Sequence, residues 1–138
     1  MSDRLVVDTN VWLDVLLERA PHVDDSADAL SLAQNRGATL LLGATTVTTL
    51  FYFVEKFTDV DQASAAVDRL LDHHDIANVT GDVLRTAVEA NIGDFEDAVL
   101  HEAARGANAD LILTRNASDF EAGDLAVSTP REYLAAHE

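Results

Sequence analysis

The stretch Ala109-Asp110-Leu111-Ile112-Leu113-Thr114-Arg115-Asn116 decides the fold. Its three apolar residues, bracketed by polar ones, are too few for a helix and suit a strand buried on both faces, predicted over 110–114. Just before it, Phe95 to Arg105 reads as a helix opened by Asp94. A helix leading directly into a buried strand is the repeating unit of a parallel sheet.

Working outward, the same alternation recurs. Leu5-Val6-Val7 reads as a strand ended by Asp8, and Val11 to Glu18 as a helix interrupted before Pro21. Val23 to Arg36 is helical through Ala27, Leu30 and Ala33 and stops at Gly37; Thr39 to Leu42 is a second strand. Thr46 to Phe57 is long and apolar. Periodicity does not separate helix from strand there, and its length favours a buried helix. Asp61 to His73 is an amphipathic helix through Ala65, Leu70 and Leu71, and Asp75 to Val79 a weak strand. Asp82 to Asn91 is a helix stopped near Gly93, Leu125 to Val127 a last short strand, and Pro130 opens a terminal helix. No repeat or linker divides residues 1–138, so we expect one domain, a three-layer α/β/α sandwich with a mostly parallel central sheet.

Composition narrows the chemistry. The absence of cysteine excludes disulfides, thiolate zinc sites and cysteine nucleophiles. The net charge is −16, and Asp outnumbers Glu by 17 to 8. Such a chain repels nucleic acid at long range, so nonspecific phosphate neutralisation is not its strategy. Most of the acids read as solvated surface, of a kind suited to high salt, and a few as cation ligands. No apolar run approaches the roughly 18 residues that cross a bilayer, so no membrane partner is expected. Met1-Ser2-Asp3-Arg4 lacks a secretory signal, which makes the cytoplasm the expected location. The adjacent His73 and His74 read as surface.

The acids fall into a pattern. Asp8 ends the first strand, while Asn116 and Asp119 follow the strand over 110–114, at the same sheet edge. Asp94 and Asp97, three apart, share a face at the start of the helix between them. Ligands in such sheets sit beyond the carboxyl ends of the strands. Carboxylates gathered there suit a hard cation, Mg²⁺ or Mn²⁺, which takes oxygen ligands and keeps several waters. Each acid also has a structural reading. Asp8, Thr9 or Asn10 would cap the following helix, Asp94 and Asp97 would form a capping box, and Asp119 would steady a turn.

In these segments the chain resembles the PIN-domain family, and within it the VapC-like toxin ribonucleases of toxin–antitoxin pairs. The resemblance rests on Val6-Val7-Asp8-Thr9-Asn10, on Asp94-Phe95-Glu96-Asp97-Ala98-Val99-Leu100, and on the 109–116 stretch with Asp119-Phe120. Leu125 to Leu134 resembles the family's last strand and helix. It implies a PIN-like sheet between helices, Mg²⁺ or Mn²⁺ at the acidic site, and hydrolysis of RNA. Asp8, Asp97 and Asp119 match the family's catalytic acids, with Asp94 as a further metal ligand and Asn10, Glu96, Thr114 and Asn116 in support. It also implies an antitoxin partner placing a basic side chain among the acids. A homodimer is expected from the apolar run Leu50 to Val54, which one helical face cannot hold.

One departure stands out. The family often carries a glutamate on the helix after the second strand, where this chain has Thr49. Glu55 lies six residues on, about 240° around a helix, and is a poor substitute. Either the site works with fewer acids, or Thr49 positions a water, or the chain is a catalytically weak or silent PIN-like module that binds RNA or protein. A third reading makes Asp8 a phospho-acceptor, as in haloacid-dehalogenase-like phosphatases or response-regulator receivers. The second Asp of such phosphatases is replaced by Asn10, and the sole lysine, Lys56, lies on the long apolar helix rather than at a strand end.

Overall fold

Alternating apolar residues place two cores on opposite faces of one sheet. The structure, a computed structural model, describes residues 3–137. Its strands are β1 (Arg4–Val7), β2 (Thr39–Gly43), β3 (Asp75–Ala77), β4 (Leu111–Leu113) and β5 (Ala126–Ser128), ordered β3-β2-β1-β4-β5. Each neighbouring pair is parallel, so the sheet is wholly parallel rather than mostly so. Seven helices among the described residues cover it: α1 (Thr9–Leu16), α2 (Val23–Asn35), α3 (Ala44–Phe57), α4 (Val60–His73), α5 (Gly81–Glu89), α6 (Phe95–Gly106) and α7 (Pro130–Ala136). Leu5, Val7, Leu40, Leu42 and Leu113 face a core shared with α1, α2, α3, α4 and Tyr133 of α7. Val6, Leu41 and Ile112 face the other core, shared with α5, α6 and Phe120. This period of two gives the expected α/β/α layers. The N-terminal reading falls partly on Met1 and Ser2, outside the described residues.

The chain builds β1, β2 and β3 outward in one direction, then returns to add β4 and β5 on the other side of β1. The order therefore reverses between β1 and β4, and the crevice at their carboxyl ends is the natural ligand position of an open parallel sheet. Asp8 and Thr114 stand there, and the Asp8 backbone N–H donates to Leu113 O at 2.9 Å.

Three details differ from the sequence reading. The buried side of α4 runs through Ala63 and Leu70, with Ala66 and Val67 half-buried between them; Ala65 and Leu71 are exposed. Spacings of three and four keep one stripe toward α3, and 65 and 71 fall off it. β3 ends at Ala77, as befits an edge strand paired on one side. His73 is exposed as expected, but the His74 ring lies 5.0 Å from that of Trp12 and is half-buried. No helix among the described residues is long and apolar enough to cross a membrane.

Candidate active site

Asp8 caps α1 from the end of β1, with extended backbone at φ −68° and ψ 155°. Its Oδ1 accepts from the Thr9 N–H at 2.7 Å; its Oδ2 accepts from the Thr114 hydroxyl at 2.7 Å and from Asn10 Nδ2 at 3.2 Å. Burial raises its pKa above the ordinary carboxylate value, and the nearby Asp119 charge adds to that. The three donors act in the opposite sense, favouring the ionised form. Asn10 Oδ1 accepts from the Arg115 N–H at 3.1 Å, so the support residue also fastens the loop after β4.

Asp97 reaches the site from α6. Asp94 caps that helix, accepting from the Asp97 N–H at 2.8 Å, and Asp97 accepts in return from the Asp94 N–H at 3.4 Å. The capping box is present, and the Asp94 carboxylate is committed to it. Asp97 is pushed up to about 6, first by burial, then by the charges of Asp94, Asp8 and Asp119, with the Asp94 hydrogen bond opposing. Gly93, at φ +42°, lets the loop pass between these groups: a Cβ there would stand 2.5 Å from the Asp97 carboxylate and 3.1 Å from the Asp119 carbonyl. Asp119 itself is exposed on a 3-10 turn, Ala117–Phe120, that follows β4.

A groove of about 290 Å³ collects these elements. Asp8, Asn10, Glu96, Asp97 and Asn116 line it, as does Thr49 from the second turn of α3. Thr114 lies fully buried beneath, behind Asp8. Asp119 and Asp94 stand close enough for their charges to act on Asp97. Among the described residues no three His, Asp or Glu side chains are near enough together to form a closed metal cage. The groove is an open acidic cleft with oxygen donors.

Two cations share this groove, and the sequence reading assigned neither a role: Arg19 and Arg115. Both are tied to Asp14, a fully buried acid on α1. Arg19 Nη2 lies 3.0 Å from Asp14 Oδ1 and Arg115 Nε 2.8 Å from Oδ2, and the buried Ser26 hydroxyl donates to Oδ2 at 2.9 Å. The signal was an acid inside Val11-Trp12-Leu13-Asp14-Val15-Leu16-Leu17, since a charge in an apolar helix is buried only when paired.

Comparison with curated proteins finds no match. Among solved structures, the chain resembles VapBC2 from Rickettsia felis bound to a DNA fragment from its promoter, at 17% identity over 91% of this chain and 98% of that one, with a TM-score of 0.66. VapBC-1 from nontypeable Haemophilus influenzae gives 14% identity over 93% and 98%, with a TM-score of 0.71. VapC20 from Mycobacterium tuberculosis, a toxin that cleaves the sarcin–ricin loop, gives 16% over 78% and 86%, with a TM-score of 0.64. Identities this low speak to the fold alone. The sequence profile of the PIN domain, however, matches residues 4–118, a span that holds Asp8 and Asp97 and the sheet edge between them. The chain therefore belongs to the PIN-domain family.

Proposed function

We propose that the protein is a metal-dependent endoribonuclease acting as the toxin of a toxin–antitoxin pair. The observation that carries this reading is the meeting of Asp8 and Asp97, 89 residues apart in the chain, in one groove where burial and neighbouring acids raise the pKa of both. Carboxylates held together at such a cost are typical of functional sites. The all-oxygen donor set fits Mg²⁺ or Mn²⁺, which need only one or two direct carboxylates. Asp8 and Asp97 would hold the ion, with Asp119 and Asp94 adding negative charge around it. When bound, the cation neutralises charge on a phosphodiester and makes a water more acidic. The protein's own groups do the rest: Thr114, Asn10 and the Thr9 N–H hold the Asp8 carboxylate in one orientation, and the capping box holds Asp97.

The VapBC neighbours support an antitoxin partner, which would place a basic side chain among the acids. The exposed Tyr52 and Phe57 of α3 support a homodimer. One observation favours a second reading, a PIN-like RNA- or protein-binding module of weak or no activity: Thr49 occupies the groove wall where a carboxylate would strengthen metal binding.

The test is incubation of the purified protein with single-stranded and structured RNA, with Mn²⁺, with Mg²⁺ and with chelator. Cleavage that needs metal and disappears in Asp8→Asn supports the nuclease. Equal cleavage by Asp8→Asn and wild type would overturn the mechanism. RNA binding without cleavage would favour the silent module.

A further inference from the structure

We infer that Arg19 and Arg115, mounted on the buried carboxylate of Asp14, form a phosphate subsite that seats a backbone phosphate of RNA beside the one cleaved; the inference rests on the nuclease reading above.

The argument begins with charge. A protein at −16 draws in no polyanion from a distance, and beyond about 8 Å its field is screened at physiological salt. Attraction must come from cations at the site itself. The groove walls carry three carboxylates, Asp8, Glu96 and Asp97, and two cations, Arg19 and Arg115.

Both guanidiniums are fixed. Asp14 accepts four hydrogen bonds: Oδ1 from Arg19 Nη2 at 3.0 Å and Arg115 Nη2 at 3.3 Å, and Oδ2 from Arg115 Nε at 2.8 Å and Ser26 at 2.9 Å. Arg19 Nη2 also donates to Asn10 O at 3.2 Å. One buried anion thus holds two cations, leaving a surplus positive charge at the groove wall. The surplus is accessible, since the Arg115 and Arg19 side chains keep 27% and 39% of their surface while Asp14 keeps none. Arg115 meets Asp14 through Nε and Nη2. Its Nη1 donates to nothing among the described residues, so a planar donor edge remains for a phosphate.

A structural role alone accounts for less. Arg115 and Ser26 already give Asp14 three of its four bonds, so the buried acid is served without Arg19. Arg115 also reaches beyond the acidic groove, because it lines a second depression of about 320 Å³ with His22, Thr129 and Arg131. A strand seated at the acids and running past Arg115 would meet that surface next.

The test is fluorescence anisotropy with a fluorescein-labelled, mixed-sequence single-stranded RNA in metal-free buffer, across a salt series. Wild type, Arg19→Gln, Arg115→Gln, Arg115→Lys and Arg85→Gln are compared, with circular dichroism on each. Arg85 is exposed on α5 and serves as a surface control. Each Gln variant should bind about tenfold more weakly, and its slope of log affinity against log salt should fall by about 0.7, the value for one single-strand phosphate contact. Arg115→Lys should keep the slope and lose affinity, since a point charge replaces a fork. Arg85→Gln should match wild type. If Arg115→Gln fails to fold, Arg19→Gln decides, because it leaves Asp14 paired to Arg115 and Ser26. Wild-type affinity and slope in a folded Arg19→Gln overturn the subsite. If wild type still cleaves RNA with Mg²⁺ in a parallel assay, the nuclease reading survives that result. A wild type that neither binds nor cleaves RNA overturns both.

Discussion

Thr114 donates its hydroxyl to Asp8 Oδ2 at 2.7 Å, joining residues 106 positions apart. The same hydroxyl accepts from the Asn116 N–H at 3.1 Å and from Asn10 Nδ2 at 3.4 Å. A single buried oxygen therefore ties the ends of β1 and β4 to the groove and orients the Asp8 carboxylate. Valine has the shape of threonine without the donor, so Thr114→Val isolates this bond. The hydrogen bond is among the influences holding the Asp8 pKa down, and its loss should raise that pKa further. Protons then compete better for Asp8. We expect Mn²⁺ affinity to fall about three- to tenfold at pH 6 and less at pH 8, with a stability loss of about 1–3 kcal/mol. Calorimetric titration at both pH values, with urea unfolding, checks this; an equal loss of affinity at both would count against it.

Asp97 gives a pH dependence of definite sign. Its pKa in the folded protein is about 6, above its ordinary value of 3.8. Between those values the folded state holds more protons than the unfolded one, so this group's contribution to stability declines as pH rises from about 4 through 6 and then levels off. Asp97→Asn removes the titration while keeping an oxygen for the capping box. Without metal at pH 7.5 it should melt roughly 2–4 °C above wild type, as about 1 kcal/mol would produce once screening of this partly exposed group is allowed for. At pH 3, below both values, the two should coincide. Calorimetry in chelator reads both, and a gap that does not change with pH would refute the assignment.

Asp14 should be the costliest of these acids to remove. Asp14→Ala deletes four hydrogen bonds and leaves two guanidiniums facing each other, though both reach solvent. The expected loss is about 3 kcal/mol, near the low end for a broken buried pair, against about 1 kcal/mol for Ser26→Ala. The double variant should lose less than the sum, because both changes remove the same bond. Urea unfolding of the three proteins measures this.

How much of this was legible depended on the distance over which each feature is set. Leu111-Ile112-Leu113 declared a buried strand because apolar burial is written in adjacent residues, and strand–helix alternation then set the layers. Asp8 and Asp97 were legible because both stand at element ends, where sheet topology alone gives their position. Asp14 lies mid-helix. Its meaning depends on Arg115, 101 residues away, and no local pattern announces that partner. For α4, Leu70-Leu71 offered two apolar neighbours, and only packing against α3 decided that Leu70 goes inward. Asp94 was ambiguous in sequence between cap and ligand, because both roles want a carboxylate at one place.

The α3 surface carries the dimer expectation. Tyr52 is 57% exposed and Phe57 63% exposed, and Val60 at the start of α4 is exposed too. Lys56 Nζ lies about 6 Å from both aromatic rings, and the charged Glu55 and Asp59 are exposed in the same segment, so the apolar patch has a polar rim. We expect wild type to be dimeric by light scattering, and Tyr52→Glu with Phe57→Glu to shift the mass to that of a monomer. A strictly monomeric wild type across concentrations would remove the proposal.

Thr49 offers the most direct gain-of-function test. It lies in the second turn of α3, which starts at the end of β2, and it lines the same groove as Asp8 and Asp97. Its hydroxyl now donates to Thr45 O at 3.3 Å within its own helix, so among the described residues substitution breaks no long-range hydrogen bond. Thr49→Glu would carry a carboxylate to the acidic wall. With metal, the added oxygen would serve as a ligand or hold a water beside the cation, and affinity should rise about tenfold, the scale on which a metal site's supporting groups act. Without metal, a further negative charge beside Asp8 and Asp97 disfavours joint ionisation, so Thr49→Glu should melt below wild type, and the Asp97 pKa should rise further. The two effects have opposite signs in one protein, which separates a site role from general destabilisation. Mn²⁺ affinity, RNA cleavage rate and melting temperature with and without metal would be compared against wild type. A variant that melts lower in chelator, binds Mn²⁺ more tightly and cleaves faster would identify Thr49 as the position that limits this site. No change in any of the three would mean that residue 49 does not act on the bound ion.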